Sequence, residues 1–170
     1  MFKPASLRAA LTAAIVDDKG VRIFERDPAN LDIWGDKGRI AGRLALPARG
    51  YEYRYRLNVL VKDFSGNEDA LTIALVEWIS IHQPELLLDH GAGNQAISFE
   101  IDVLDNKLVD IVFEIELTET VRVVPRDGGG FDAIHEHEPL LDDPALDGAP
   151  DRPPLGQVYF GDVLIIGDPD

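Results

Sequence analysis

Apolar positions along the chain switch between a helical period and a strand period, and the switches mark its elements. Leu7, Ala10, Leu11, Ala14 and Ile15 recur on one helical face. Pro4 stands ahead of them in the first turn, where a missing N–H costs little, and Asp17-Asp18-Lys19-Gly20 closes the helix. Val21 to Arg26 reads as a short strand, Asp27 to Lys37 as a polar loop, and Arg39 to Leu46 as a weaker strand interrupted by Gly42. Pro47-Ala48-Arg49-Gly50 reads as a turn. The next strand is regular: Tyr51, Tyr53, Tyr55, Leu57, Val59 and Val61 share one face, with Glu52, Arg54, Arg56, Asn58 and Lys62 on the other. That alternation describes a half-buried strand, and Leu60 alone breaks it. A tyrosine stripe can stack bases, but no basic surface flanks these rings, so they are read as core.

Ser65-Gly66-Asn67-Glu68 has the spacing of a capping box and opens a helix that runs to about Gln83, stopped by Pro84. Its apolar stripe is Leu71, Leu75, Trp78, Ile79 and His82, widened by Ala74 and Val76. At that end of the helix His82 is read as a partner of the helix dipole in preference to a catalytic base. Two further strands follow the turn-rich Asp89 to Asn94. One alternates Ile97, Phe99, Ile101 and Val103 against Ser98, Glu100 and Asp102; the other alternates Val109, Ile111, Phe113, Ile115 and Leu117 and continues toward Pro125. Asp105-Asn106-Lys107 joins them as a tight connection. Two helices and at least four antiparallel strands predict an α+β fold, with both helices on the apolar face of the sheet.

Beyond this core, 1–125, the composition changes. Residues 126–152 contain Gly128-Gly129-Gly130, Pro139, Pro144 and Pro150 and many acids, a pattern expected of an acidic, extended arm. Residues 153–170 recover a strand pattern: Val158-Tyr159-Phe160 and Val163-Leu164-Ile165 about Gly161-Asp162 predict a C-terminal β-hairpin. An isolated hairpin is marginal, so it must lean on the sheet or on another molecule. The whole is expected to be a single domain, since 170 residues suffice for one ordinary core.

Charge changes the picture more than size does. The net charge is −15, yet residues 1–62 carry +5, residues 63–125 carry −11 and residues 126–170 carry −9. A bipolar monomer suits head-to-tail contact between copies, or unlike partners at two ends. On the polar face of the two later strands, Glu100, Asp102, Asp110, Glu114 and Glu116 would repel one another. Arg54 and Arg56 can neutralise them, within one sheet or across a subunit boundary. The absence of cysteine removes thiolate catalysis and sulfur-based metal sites. Apolar runs fall far short of the roughly 20 residues a membrane span needs, and Met1-Phe2-Lys3-Pro4 does not open a signal peptide, so neither a membrane nor a secreted protein is expected.

No catalytic or cofactor constellation emerges. His135-Glu136-His137-Glu138 invites a metal reading, but it lies in the acidic arm and is read as a solvated charge run. The sheet carboxylates lack the apolar pocket that would split their pKa values into acid and base. Neither Gly91-Ala92-Gly93-Asn94 nor Asp127-Gly128-Gly129-Gly130 has the context of a phosphate loop.

Several blocks carry a family likeness: Phe2-Lys3-Pro4-Ala5-Ser6-Leu7-Arg8, Tyr55-Arg56-Leu57-Asn58-Val59-Leu60-Val61-Lys62-Asp63-Phe64, Trp78 with Gln83-Pro84-Glu85, the strands from Phe99 through Leu117-Thr118-Glu119, and Pro153-Pro154 with Val158-Tyr159-Phe160-Gly161-Asp162. In order and spacing the chain resembles the tail completion protein R (gpR) family of contractile-tailed phages. Asp27 to Lys37 and Arg126 to Arg152 depart from the pattern. The resemblance implies a structural, non-enzymatic protein that caps the tail tube, stops its polymerisation and offers a surface for head joining. It would do so as a sixfold ring at the head-proximal end of the virion tail, after assembly in the host cytoplasm. Implied partners are further copies of itself, the tube protein and a head connector or neck protein, with the sheath a further candidate; neither membrane nor sequence-specific nucleic acid is implied. The candidate interface pairs Arg39, Arg43, Arg54 and Arg56 with an acidic surface of a neighbouring subunit or the tube, Glu100, Asp102, Glu114 and Glu116 offering the complement. Three rivals stand beside it: a neck or connector protein, an acidic DNA-mimic inhibitor, and a metal-dependent hydrolase built on His135 and His137.

Overall fold

The computed structural model describes residues 2–44, 49–88, 96–104, 108–138, 158–160 and 163–166. Helix α1 (Lys3–Ala14) leads into a short helical turn α2 (Ile23–Arg26) and a 3-10 turn (Pro28–Asn30). Strands β1 (Leu31–Leu44) and β2 (Arg49–Phe64) precede α3 (Glu68–His82) and the one-turn α4 (Glu85–Leu88). Strands β3 (Ile97–Val103), β4 (Val109–Pro125) and β5 (Phe131–His135) complete the main sheet; β6 (Val158–Phe160) and β7 (Val163–Ile166) form a separate antiparallel pair. The sheet order is β1-β2-β4-β3, all neighbours antiparallel, and β5 continues along the β3 side of β4.

The α+β architecture with two helices on one sheet face is present. Leu7, Leu11 and Ile15 from the first helical stretch meet Leu71, Leu75, Trp78 and Ile79 of α3 over Tyr55, Leu57, Val59 and Val61 of β2 and Ile111, Phe113, Ile115 and Leu117 of β4. Each such side chain, fully buried, contributes about 1.5–3 kcal/mol. Val76, placed on the stripe by periodicity, is exposed.

Four local expectations are corrected. The stretch read as a loop, Asp27 to Lys37, already enters β1 at Leu31, because its backbone pairs with the regular β2; a bulge between Asp36 and Arg39, with Lys37 at φ 50°, absorbs the irregular composition. Val21 to Arg26 is no strand: Arg22 makes one bridge to Val16, and Ile23 and Phe24 then turn into the core as α2. The Asp17 carboxylate accepts from the N–H groups of Lys19 and Val21, tightening that corner. The cap of α3 is Asn67, not Ser65; its side chain accepts from the Asp69 N–H. Finally, the start of the supposed arm is strand: Arg126 N donates to Gly130 O across a turn whose Gly128, Gly129 and Gly130 hold φ of 90°, 101° and 92°, and β5 then pairs back on β4. The connections at Pro47-Ala48, Asp89 to Asn94 beyond the end of α4, Asp105-Asn106-Lys107 and Gly161-Asp162, and the arm from Pro139, lie outside the described residues. The β6–β7 pair leans on the body where β7 meets α3.

Strand and helix lengths set the shape. At about 3.3 Å per residue β4 extends roughly 56 Å, whereas α3 covers about 22 Å at 1.5 Å per residue. The helices are therefore too short to cover the whole sheet, and among the described residues Ile40 and Phe131, beyond their reach, are exposed.

Candidate assembly surface

The covered half ends at a buried polar knot. Helix α1 starts without a side-chain cap of its own. Glu119 of β4 supplies one from across the fold: its Oε2 accepts from Phe2 N at 2.8 Å and its Oε1 from the Tyr55 hydroxyl at 2.6 Å. Burial opposes ionisation of Glu119, but the bonds from Tyr55 and Phe2 outweigh it and hold its pKa below the ordinary carboxylate value. Tyr55 moves the other way, raised by burial and then by donating to that carboxylate. Beside them Lys3 Nζ donates to Gln83 Oε1 at 2.6 Å and to Glu138 Oε1 at 3.0 Å, while the Gln83 side chain bonds both the backbone N and the hydroxyl of Thr118. Glu85 also accepts from Gln83. Three blocks that are far apart in sequence, at Lys3, Gln83 and Glu119, thus converge. Glu119 carries the one signal that periodicity offers: a carboxylate in the apolar register of Leu117 and Val121.

The His135 to Glu138 segment is solvated only in part: Glu136 and His137 are exposed, whereas His135 and Glu138 are half-buried against the body. His135 Nδ1 lies 3.1 Å from Glu119 Oε2, not aligned as a hydrogen bond. Glu136 pairs with Arg122, the His137 ring meets Phe2 edge-on at 5.5 Å, and Glu138 reaches Lys3. The two histidines thus face different neighbours, and among the described residues no three metal-ligating side chains cluster. His82 is also corrected: its ring packs on Trp78 at 4.7 Å with Nε2 3.2 Å from Ser6 Oγ. Burial, followed by the nearby charge of Lys3, favours its neutral form, which suits packing better than a charge on the helix dipole.

The predicted interface residues divide into three groups. Arg56 binds Glu114 at 2.8 Å and Glu116 at 2.9 Å within the same sheet face. The Glu116 bond chiefly, with Glu114 adding to it, stabilises the Arg56 charge. Arg54 pairs with Glu52 on its own strand, and Arg39 stands opposite Arg54 in the β1–β2 register; Arg43 lies opposite Gly50. Glu100 and Asp102 sit on exposed β3 and make no ion pair among the described residues. The structure therefore joins Arg56, Glu114 and Glu116 inside one chain and leaves Arg39, Glu100 and Asp102 outward.

Around these charges the part of the sheet beyond the helices carries apolar side chains. Ile40 is 69% exposed and Phe131 56%. Near the same end of the sheet lies a groove of about 730 Å³ lined by Arg49, Arg54, Arg122, Tyr51, Glu52 and Thr120. Gly50 also lines it, a position where a Cβ would meet Val121 O at 2.7 Å. On β3, Phe99, Ile101 and Val103 share the side that faces the helices, yet are exposed, contrary to their expected place in the core.

The family model described as P2 phage tail completion protein R (GpR) matches residues 1–139. The tail completion protein R of Escherichia phage P2 is 34% identical over 128 residues, covering 75% of this chain and 78% of that protein. No solved structure matches.

Proposed function

Because this chain belongs to the P2 phage tail completion protein R (GpR) family, with a structural role in phage tails, we propose that it acts as a tail terminator. In this reading it binds the end of a finished tube at the head-proximal end of the virion tail, stops polymerisation and presents the surface to which the head joins. It acts as a ring of copies assembled in the host cytoplasm. The observation that carries the reading is the part of the sheet beyond the helices, where charged and apolar side chains stand on rigid strands outside the core. Such a surface suits association with proteins.

The rival DNA mimic needs an unpaired acidic face, and Arg56 neutralises two of its carboxylates. Purified protein mixed with isolated tail tubes and viewed by negative-stain electron microscopy tests the reading. Density at one end of each tube, with no further growth when tube subunit is added, supports it. Tubes that keep growing refute it, and binding to a purified head connector but not to tubes would make the chain a neck protein.

A further inference from the structure

We propose that copies of this chain join by continuing the sheet, the β3 edge of one copy pairing antiparallel with the later part of β1 of the next. The inference deepens the assembly reading above and rests on it only for the premise that copies associate.

Both strands are sheet edges. Among the described residues β3 is hydrogen-bonded on one side only, and its Phe99 and Val103 side chains are 62% and 68% exposed. An unpaired edge that is apolar on one face and charged on the other is a template for a strand of complementary charge. On β1 the first residues are obstructed, since Arg8 donates to the Leu31 carbonyl at 2.8 Å, and the bulge at Asp36 interrupts the next. Beyond the bulge Arg39–Leu44 remains, nearly the length of β3.

Charge selects the partner. Two β3 edges would oppose Glu100 and Asp102 to themselves, and two β1 edges would oppose Arg39 and Arg43 to themselves. A level alignment of β3 with β1 would set Glu100 against Asp32 and leave Arg39 and Arg43 without an acidic partner. Only β3 against the later part of β1 brings unlike charges together. Strand direction agrees: the four strands of the main path alternate, so copies repeated side by side without inversion bring β1 antiparallel to β3. One register satisfies both faces, with Arg39 opposite Asp102, Ile40 opposite Ile101, Ala41 opposite Glu100 and Gly42 opposite Phe99. Nothing lies within 4 Å of a Cβ built at Gly42, so the space its missing side chain leaves can take the Phe99 ring.

The register fixes an offset. Within one copy Asp102 is level with Asp110, and Arg39, through Arg54, with Thr118. Neighbours are then shifted by eight residues, roughly 26 Å along the strands, across a four-strand width of about 19 Å.

The full chain has no cysteine, so introduced pairs report cleanly. Cross-strand neighbours bring Cβ atoms to about 5 Å, close to disulfide reach. Under copper–phenanthroline oxidation the Ala41→Cys/Glu100→Cys double variant should give a ladder of linked oligomers, while each single variant stays unlinked. Dimers from Glu100→Cys alone would reveal β3–β3 pairing and overturn the proposal, as would an unlinked double variant that sediments as an oligomer. A monomeric unaltered chain at its highest soluble concentration overturns it too. Independently, Arg39→Asp or Asp102→Arg should each weaken association about tenfold, and the two together should restore it; no restoration refutes the register. Linked oligomers that ignore tail tubes would sink the terminator reading and leave this inference standing, and tube-capping monomers would do the reverse.

Discussion

Beneath α1 and α3 the core-facing positions of β2 and β4 are sealed, with Leu57, Val61 and Ile115 at 0% exposure. Farther along the same sheet Ile40 and Phe131 stand in solvent on the side facing that core, and so do Phe99 and Val103 on the β3 edge. The alternation is the same in both regions; only the cover differs. Alternation along a strand therefore specifies which face is apolar, while helix reach decides how much of that face becomes core. Among the described residues, the apolar side chains past the helices stay exposed.

The largest expected effect sharpens that contrast. Ile115→Ala in the covered half should cost about 2–5 kcal/mol in urea unfolding, through lost burial and a cavity. Ile40→Ala beyond the helices should change the monomer by less than about 0.5 kcal/mol. Comparable losses would break the comparison.

At the boundary, Glu119→Gln should cost about 1–3 kcal/mol, because it weakens charge-assisted bonds to a buried hydroxyl and a part-buried backbone N–H. Since the folded-state pKa of Glu119 is lowered, its contribution is fully present above the ordinary value of 4.5 and is lost as pH falls through the depressed one. The difference between native protein and variant should thus shrink on acidification below pH 4.5, and a constant difference would contradict the assignment. A smaller change is expected from Arg56→Gln on the solvent face. Its pairs with Glu114 and Glu116 are half-exposed, so the slight drop in melting temperature should fade at 1 M salt, where the Debye length is about 3 Å. Smallest of all, Phe99→Ser should leave monomer unfolding almost unaltered while raising solubility, as measured by ammonium sulfate precipitation; a marked loss of stability would place Phe99 in the core.

Much of the fold was legible from period alone. The Tyr51 to Val61 alternation gave β2, the Leu71 to Ile79 spacing gave α3, and the Val109 to Leu117 alternation gave β4. These segments repeat a single period long enough to outweigh local noise. The misread ones lack such a repeat: Leu31 to Asp36 becomes strand by pairing with β2, and Phe131 to His135 by pairing with β4. Of the candidate site, the sign of each patch was readable, but not the partner. Arg56 meets Glu114 and Glu116 because register puts β2 beside β4, and no local pattern encodes register. Glu119 breaks the apolar register of Leu117 and Val121, but nothing near it in sequence encodes the Phe2 N–H it serves 117 residues away.

The sequence by itself determined the α+β class, the apolar faces of β2, α3 and β4, and the bipolar charge, since each follows from residue type and spacing along a short stretch. Tertiary structure alone decided which half of the sheet the helices cover, that Glu119 caps α1, and which charges are spent inside the molecule. Those outcomes depend on element length and strand register, which arise only when distant segments meet.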